Sequence, residues 1–213
     1  MKTVMILAVT SIFIVSAHGQ GFENLNFESA QNLPANPGLS GTYVSVASAL
    51  PGWTIFAANT VLSSIYYVSN SFPESVAQVE LEGGPPALGG NLSVGLFSIG
   101  ASISQTGLIP ANAESLLFEA SFPLSLEVTL GGQNLPYSAL SGGPNYTVYQ
   151  ANIPPSMDGQ METLTFGLDG PGGGTLIDDI EFSPQAVPEP SECALIGFGA
   201  LLFGLCSLRK QHI

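Results

Sequence analysis

Carboxylates are the only side chains of this sequence, outside its two ends, that could do acid–base or metal chemistry. Between Gln20 and Ala186 stand 14 Asp and Glu residues and no Lys, Arg, His or Cys. Lys2 precedes the first apolar run, Arg209 and Lys210 follow the last, and His18, His212, Cys193 and Cys206 also lie in the terminal segments. That distribution excludes most reaction classes. A serine nucleophile would lack the His or Lys that takes its proton. A cysteine nucleophile is absent from the middle of the chain, and a zinc site there would lack its usual nitrogen and sulfur ligands. Phosphate cradles normally add a Lys or Arg to backbone amides. Nucleic acid needs basic contacts with its phosphates, so it is excluded as a partner.

Two kinds of carboxylate chemistry remain: acid/base pairs acting on glycosides, and hard cations such as calcium. Glu80 and Glu82, in Val-Glu-Leu-Glu-Gly, would share one strand face about 7 Å apart. Alternating acids also describe a solvated strand, so the pair alone does not make an enzyme. Asp158 and Asp169 stand in loop-like segments where acids serve turns. No catalytic residue is assigned, and the chain is read as a non-enzyme.

The elements that would position these acids are strands. Short runs rich in Val, Ile, Leu, Phe, Thr and Tyr alternate with Gly, Pro, Asn and Ser. The series opens with Phe22–Glu28, Thr42–Ala47 and Gly52–Ala57, continues through Val61–Val68, Val76–Leu81 and Leu92–Ser98, and closes with Glu162–Leu168 and Leu176–Phe182. Leu124-Ser-Leu-Glu-Val-Thr-Leu130 alternates with period two. Turn signals such as Gly83-Gly84-Pro85-Pro86 and Gly142-Gly143-Pro144 punctuate the runs. The spacing predicts one all-β sandwich domain over residues 20–184. No fixed repeat period appears, which argues against solenoids and propellers.

The ends read as targeting segments. Residues 1–19 place Lys2 before an apolar run and then small residues, the layout of a cleavable secretory signal. Cys193–Leu208 is an uncharged run of 16 residues, about 24 Å long as a helix. Arg209 and Lys210 behind it can snorkel to the interface and hold the tail in the cytoplasm. The chain is therefore expected to be exported, with the domain outside.

Val187-Pro188-Glu189-Pro190-Ser191, the apolar span and the Arg209-Lys210 end together resemble the PEP-CTERM sorting signal of Gram-negative bacteria. The resemblance covers residues 185–213. It implies a signal peptidase and an exosortase-type sorting protease as partners, transient anchoring in the inner membrane, and delivery to the cell surface or to an exopolysaccharide matrix. A similar segment closes some proteins labelled ice-binding. Thr163-Leu-Thr165 is the only Thr-x-Thr here, and without a repeat it gives an ice-binding face little support.

The middle of the chain resembles the galactose-binding-like jelly roll of many carbohydrate-binding modules. Asn24-Leu-Asn-Phe27-Glu28, Pro51-Gly52-Trp53 and Leu176-Ile-Asp178-Asp179-Ile180 carry that likeness. It implies a jelly-roll sandwich and a structural Ca²⁺ held by Glu28 with Asp178 or Asp179, the alternative being that these acids are solvated strand ends. For sugar, Trp53 could serve as an aromatic platform, although such a Trp more often packs in the core. Tyr66 and Tyr67 are adjacent on a strand, so one of them must face away from the core. The expected function is non-catalytic, with calcium-assisted polysaccharide binding. The alternatives are a purely structural matrix protein and a carboxylate-based glycoside-processing enzyme.

Overall fold

The computed structural model describes residues 21–35, 41–69, 78–84, 88–171 and 173–186. The expected signal peptide lies outside the described residues. So do the sorting-motif residues Val187, Pro188, Glu189, Pro190, Arg209 and Lys210, and the apolar run before the last two. Among the described residues no helix is long and apolar enough to cross a membrane.

In chain order the strands are β1 (Thr42–Ser45), β2 (Thr54–Ala57), β3 (Thr60–Val61), β4 (Ser64–Ser69), β5 (Val79–Gly83), β6 (Leu92–Leu96) and β7 (Ser102–Leu108). There follow β8 (Ser115–Ser121), β9 (Leu126–Leu130), β10 (Gln133–Asn134), β11 (Tyr137–Gly142), β12 (Thr147–Asn152), β13 (Met161–Leu168) and β14 (Thr175–Ser183). They form an eight-stranded sheet in the order β1-β4-β5-β6-β14-β8-β12-β11 and a six-stranded sheet in the order β10-β9-β13-β7-β2-β3. Only β4 and β5 run parallel among these neighbours. From β6 to β9 the chain changes sheet at every strand, and it does so again from β12 to β14, so neither sheet is a simple meander.

Period-two alternation builds the interior. Ile103, Val128, Leu164 and Phe166 point inward from the smaller sheet, and Ile65, Leu81, Val94, Phe118 and Ile177 from the larger. Phe118 meets Phe166 edge-on across the gap, with centroids 5.3 Å apart. Each such ring or branched chain contributes about 1.5–3 kcal/mol by leaving water.

The outer face of the small sheet is uncharged through its middle. Register aligns Thr54 with Ser104, Ser104 with Thr165, and Thr165 with Thr129, a row of hydroxyls contributed by four strands. Beside it the Thr106 and Thr163 hydroxyls bond each other at 2.7 Å.

One expected strand is not a strand. Phe22–Glu28 is a strap of turns, with Asn24 and Phe27 in left-handed conformations (φ 49° and 57°). The Asn24 side chain accepts the Ser29 N–H at 2.9 Å and so stabilises the turn. The strap is tied to the last strand: Ile180 N–H donates to the Leu25 carbonyl at 3.0 Å, and Phe22 stacks on Phe182.

Candidate functional site

Register places four polar residues side by side on the outer face of the large sheet. Glu82 pairs with Ser93, and Asp178 pairs with Glu119. Ser93 joins the two halves, its hydroxyl donating to Asp178 Oδ2 at 3.0 Å. Their strand neighbours Leu81, Val94, Ile177 and Phe118 face the core, so all four side chains of the row face the other way. All four are nonetheless buried, as is Glu80. Buried carboxyls resist ionisation where no cation compensates them. Burial, then the charge of Glu80 and a hydrogen bond between the two side chains, pushes Glu82 up to about 7. Burial also pushes Asp178 up to about 7, against three hydrogen bonds that favour its charged form.

The segment from Leu88 to Leu92 is held by two of the expected calcium ligands, Glu28 and Asp178, and lies against the third, Asp179. Glu28 Oε1 accepts the N–H groups of Asn91 (2.5 Å) and Leu92 (2.9 Å), and its Oε2 accepts the Asn91 side chain. Asp178 accepts the Gly89 N–H through Oδ2 at 3.0 Å and the Asp179 N–H through Oδ1 at 2.8 Å. A Cβ on Gly89 would collide with the Asp179 carboxylate, and one on Gly90 with that of Glu28, so only glycine lets the loop lie between them. Asp179 itself sits at φ 41° within an irregularity of the β14–β8 pairing. Calcium needs several oxygens free to coordinate it. Here the oxygens of Glu28 and Asp178 are occupied by donors of the protein. Among the described residues no three of His, Cys, Asp and Glu are grouped to share an ion. As arranged, Glu28 and Asp178 form a hydrogen-bonded clasp on this loop.

Two cavities open on this side. The first, about 670 Å³, is lined by the strap at Asn24 and Asn26 and by Glu119 and Asp179. Burial, then the charge of Asp179, raises Glu119 above the ordinary carboxylate range, and a hydrogen bond from Tyr146 opposes that shift. Glu119 Oε2 is buried without a hydrogen-bond partner.

The second cavity, about 950 Å³, is lined by Glu82 and by Phe97, Phe122, Leu124, Tyr146 and Tyr149. Glycines set two of these rings. Side chains on Gly95 and Gly174 would collide with the Phe97 ring, and one on Gly143 would meet the ring of Tyr146. Phe122 is 78% exposed and holds a left-handed φ of 49° immediately before Pro123. A bulky residue at positive φ is an outlier costing on the order of 1–3 kcal/mol, and a following proline restricts it further. The chain keeps this strain and gains little burial from the ring that carries it.

Trp53, expected as a sugar platform, is a core residue. It is 5% exposed, its Nε1–H donates to the Asn24 carbonyl at 3.0 Å, and it packs on Phe27. Tyr67 points into the core and is buried, which leaves no face for a ligand. Tyr66 faces outward and meets Tyr43 edge-on, with centroids 5.2 Å apart. None of Trp53, Tyr66 and Tyr67 lines either cavity. Residue types alone do not single out Phe97, Phe122 and Glu119. The Phe122-Pro123 step at a strand end is the one signal available, because proline stops the strand and leaves the preceding ring outside the alternation.

No family model matches the chain, and no curated protein matches it in sequence. Among solved structures it is similar to TmCBM61, described in complex with beta-1,4-galactotriose at 1.4 Å resolution. The identity is 16% and the TM-score 0.40, over 76% of this chain and 96% of that one. So distant a likeness transfers no ligand.

Proposed function

We propose that this chain is an exported surface or matrix protein whose β-sandwich binds polysaccharide, without transforming it, in the 950 Å³ cavity. The observation that carries the reading is Phe122, a strained and exposed ring lining a cavity with three further aromatic residues, Phe97, Tyr146 and Tyr149. Strain of this kind persists at ligand clamps, where the geometry serves binding rather than stability. Aromatic faces beside a few polar groups are what a sugar ring requires.

A glycoside-processing reading draws on Glu82 and Asp178. They lie one strand apart, about 9.6 Å between backbones, near the upper end of the separation inverting enzymes use, roughly 6.5–9.5 Å. Asp178, however, lines neither cavity and gives its oxygens to Gly89, Ser93 and Asp179, so a substrate could not reach it.

A glycan array probed with the full chain and with Phe122→Gly tests the binding proposal. Glycine accepts positive φ freely, so the variant should be as stable as the parent, or more stable by about 1 kcal/mol, while its glycan signal is lost. A blank array from the folded parent, or an unchanged signal from the variant, would refute the reading. Export and sorting are proposed on the sequence of the two ends. Replacing Pro188-Glu189-Pro190 by alanines should hold the chain in the inner-membrane fraction, and unaltered delivery would count against an exosortase substrate.

A further inference from the structure

We infer that the 950 Å³ cavity selects sugars carrying a free ammonium group, that is, a deacetylated amino-sugar polymer, over neutral or uronic-acid polymers. This rests on the polysaccharide reading and goes beyond it by assigning the charge of the ligand.

The case is one of complementarity. An anionic polymer needs a basic group, and no Lys, Arg or His stands anywhere between residues 20 and 186. The ionised acids of that stretch repel uronate and sulfate at any distance shorter than the screening length, about 8–10 Å at ordinary ionic strength. Among the described residues, the one acidic residue lining the cavity is Glu82, with Glu80 bonded to it from the same strand. The walls are the rings of Phe97, Phe122 and Tyr146. A cation held against aromatic faces gains from the ring quadrupole, more so when partly desolvated. A carboxylate within reach then supplies the charge-assisted hydrogen bond that a neutral hydroxyl cannot match. Rings around an acid, in a domain without a base, are a cation-recognising arrangement. An amino sugar offers both an ammonium for Glu82 and a pyranose face for the rings.

Titration calorimetry on the full chain provides the test, using chitosan, chitin and polyglucuronate oligomers of equal length, with oligolysine as a fourth titrant. Chitosan oligomers should bind at least about ten-fold tighter than chitin oligomers. That preference should shrink as salt is raised, and polyglucuronate should not bind. Glu82→Gln should erase the ten-fold preference, with circular dichroism showing an unchanged fold. Equal affinity for chitosan and chitin, or a preference that survives in Glu82→Gln, would overturn the charge assignment while leaving polysaccharide binding in place. Oligolysine binding as tightly as chitosan would overturn the amino sugar in favour of a basic peptide. If no saccharide binds at all, the polysaccharide reading falls with it.

Discussion

Replacing Asp178 by asparagine should remove a large part of the pH dependence of this domain's stability. Asp178 is 1% exposed, and burial pushes its carboxyl from 3.8 up to about 7. An acid whose folded pKa is raised destabilises the fold once the unfolded chain has ionised and the folded one has not. The penalty is absent below about pH 4, grows as pH rises towards 7, and is complete above it. A rise of that size corresponds to about 4 kcal/mol. About 3 kcal/mol of it falls between roughly pH 5 and pH 8.5, a range that avoids the sequence pI of about 4.1, where association would interfere. For a domain of this size the parent should lose about 6–12 °C in Tm across the range, with Glu82 adding in the same direction because it too is pushed up to about 7. The asparagine would not titrate, but it would leave one of the donors from Gly89, Ser93 and Asp179 without an acceptor, at a cost of about 1–3 kcal/mol. The Asp178→Asn curve should therefore be flatter than the parent's, cross it between about pH 4.5 and pH 6, and lie above it by about 1–3 kcal/mol at pH 8. Thermal unfolding at several pH values in chelator measures this. A variant whose Tm falls with pH as steeply as the parent's would refute the assignment of a buried, neutral Asp178.

The clasp and the core tryptophan give two further expectations. Glu28→Ala should cost about 1–3 kcal/mol by freeing the N–H groups of Asn91 and Leu92, and calcium should not move the parent's Tm; a calcium-dependent rise that Glu28→Ala abolishes would show the clasp exchanging its donors for an ion. Trp53 is the only tryptophan, so its buried ring should resist acrylamide quenching and report no change on sugar binding. A spectral shift on titration with a bound glycan would return Trp53 to the ligand site.

The β architecture was legible because alternation and turn residues are local signals, and strands such as β9 and β13 announce themselves within a few residues. The resemblance pointed to Glu28, Asp178 and Asp179, but not to the donors that Glu28 and Asp178 accept. Which donors meet a carboxylate depends on the path of a loop whose residues, from Leu88 to Leu92, lie about 60 positions from one partner and about 90 from the others. The row of Glu82, Ser93, Asp178 and Glu119 was hidden for a related reason. Each residue comes from a different strand, and only cross-strand register aligns them. The hydroxyl row of the small sheet escaped in the same way, since a search for Thr-x-Thr looks along one strand while this row runs across four. Trp53 shows the reverse: its residue type suits sugar, but a carbonyl of the strap, remote in sequence, takes its indole N–H.

The strap at the start of the domain also bears on when the protein can fold. Its carbonyl at Leu25 serves β14, the last strand, while Glu28 serves the entry to β6 and the Glu23 N–H bonds the Gln105 side chain on β7. A chain delivered N-terminus first, from a ribosome or through a translocation pore, exposes this segment long before its final partner emerges. Contacts so distant in sequence form slowly, because the loop between them must close first. Closure of the sandwich must therefore wait for β14, the last strand among the described residues, so the earlier strands stay open until it has been made.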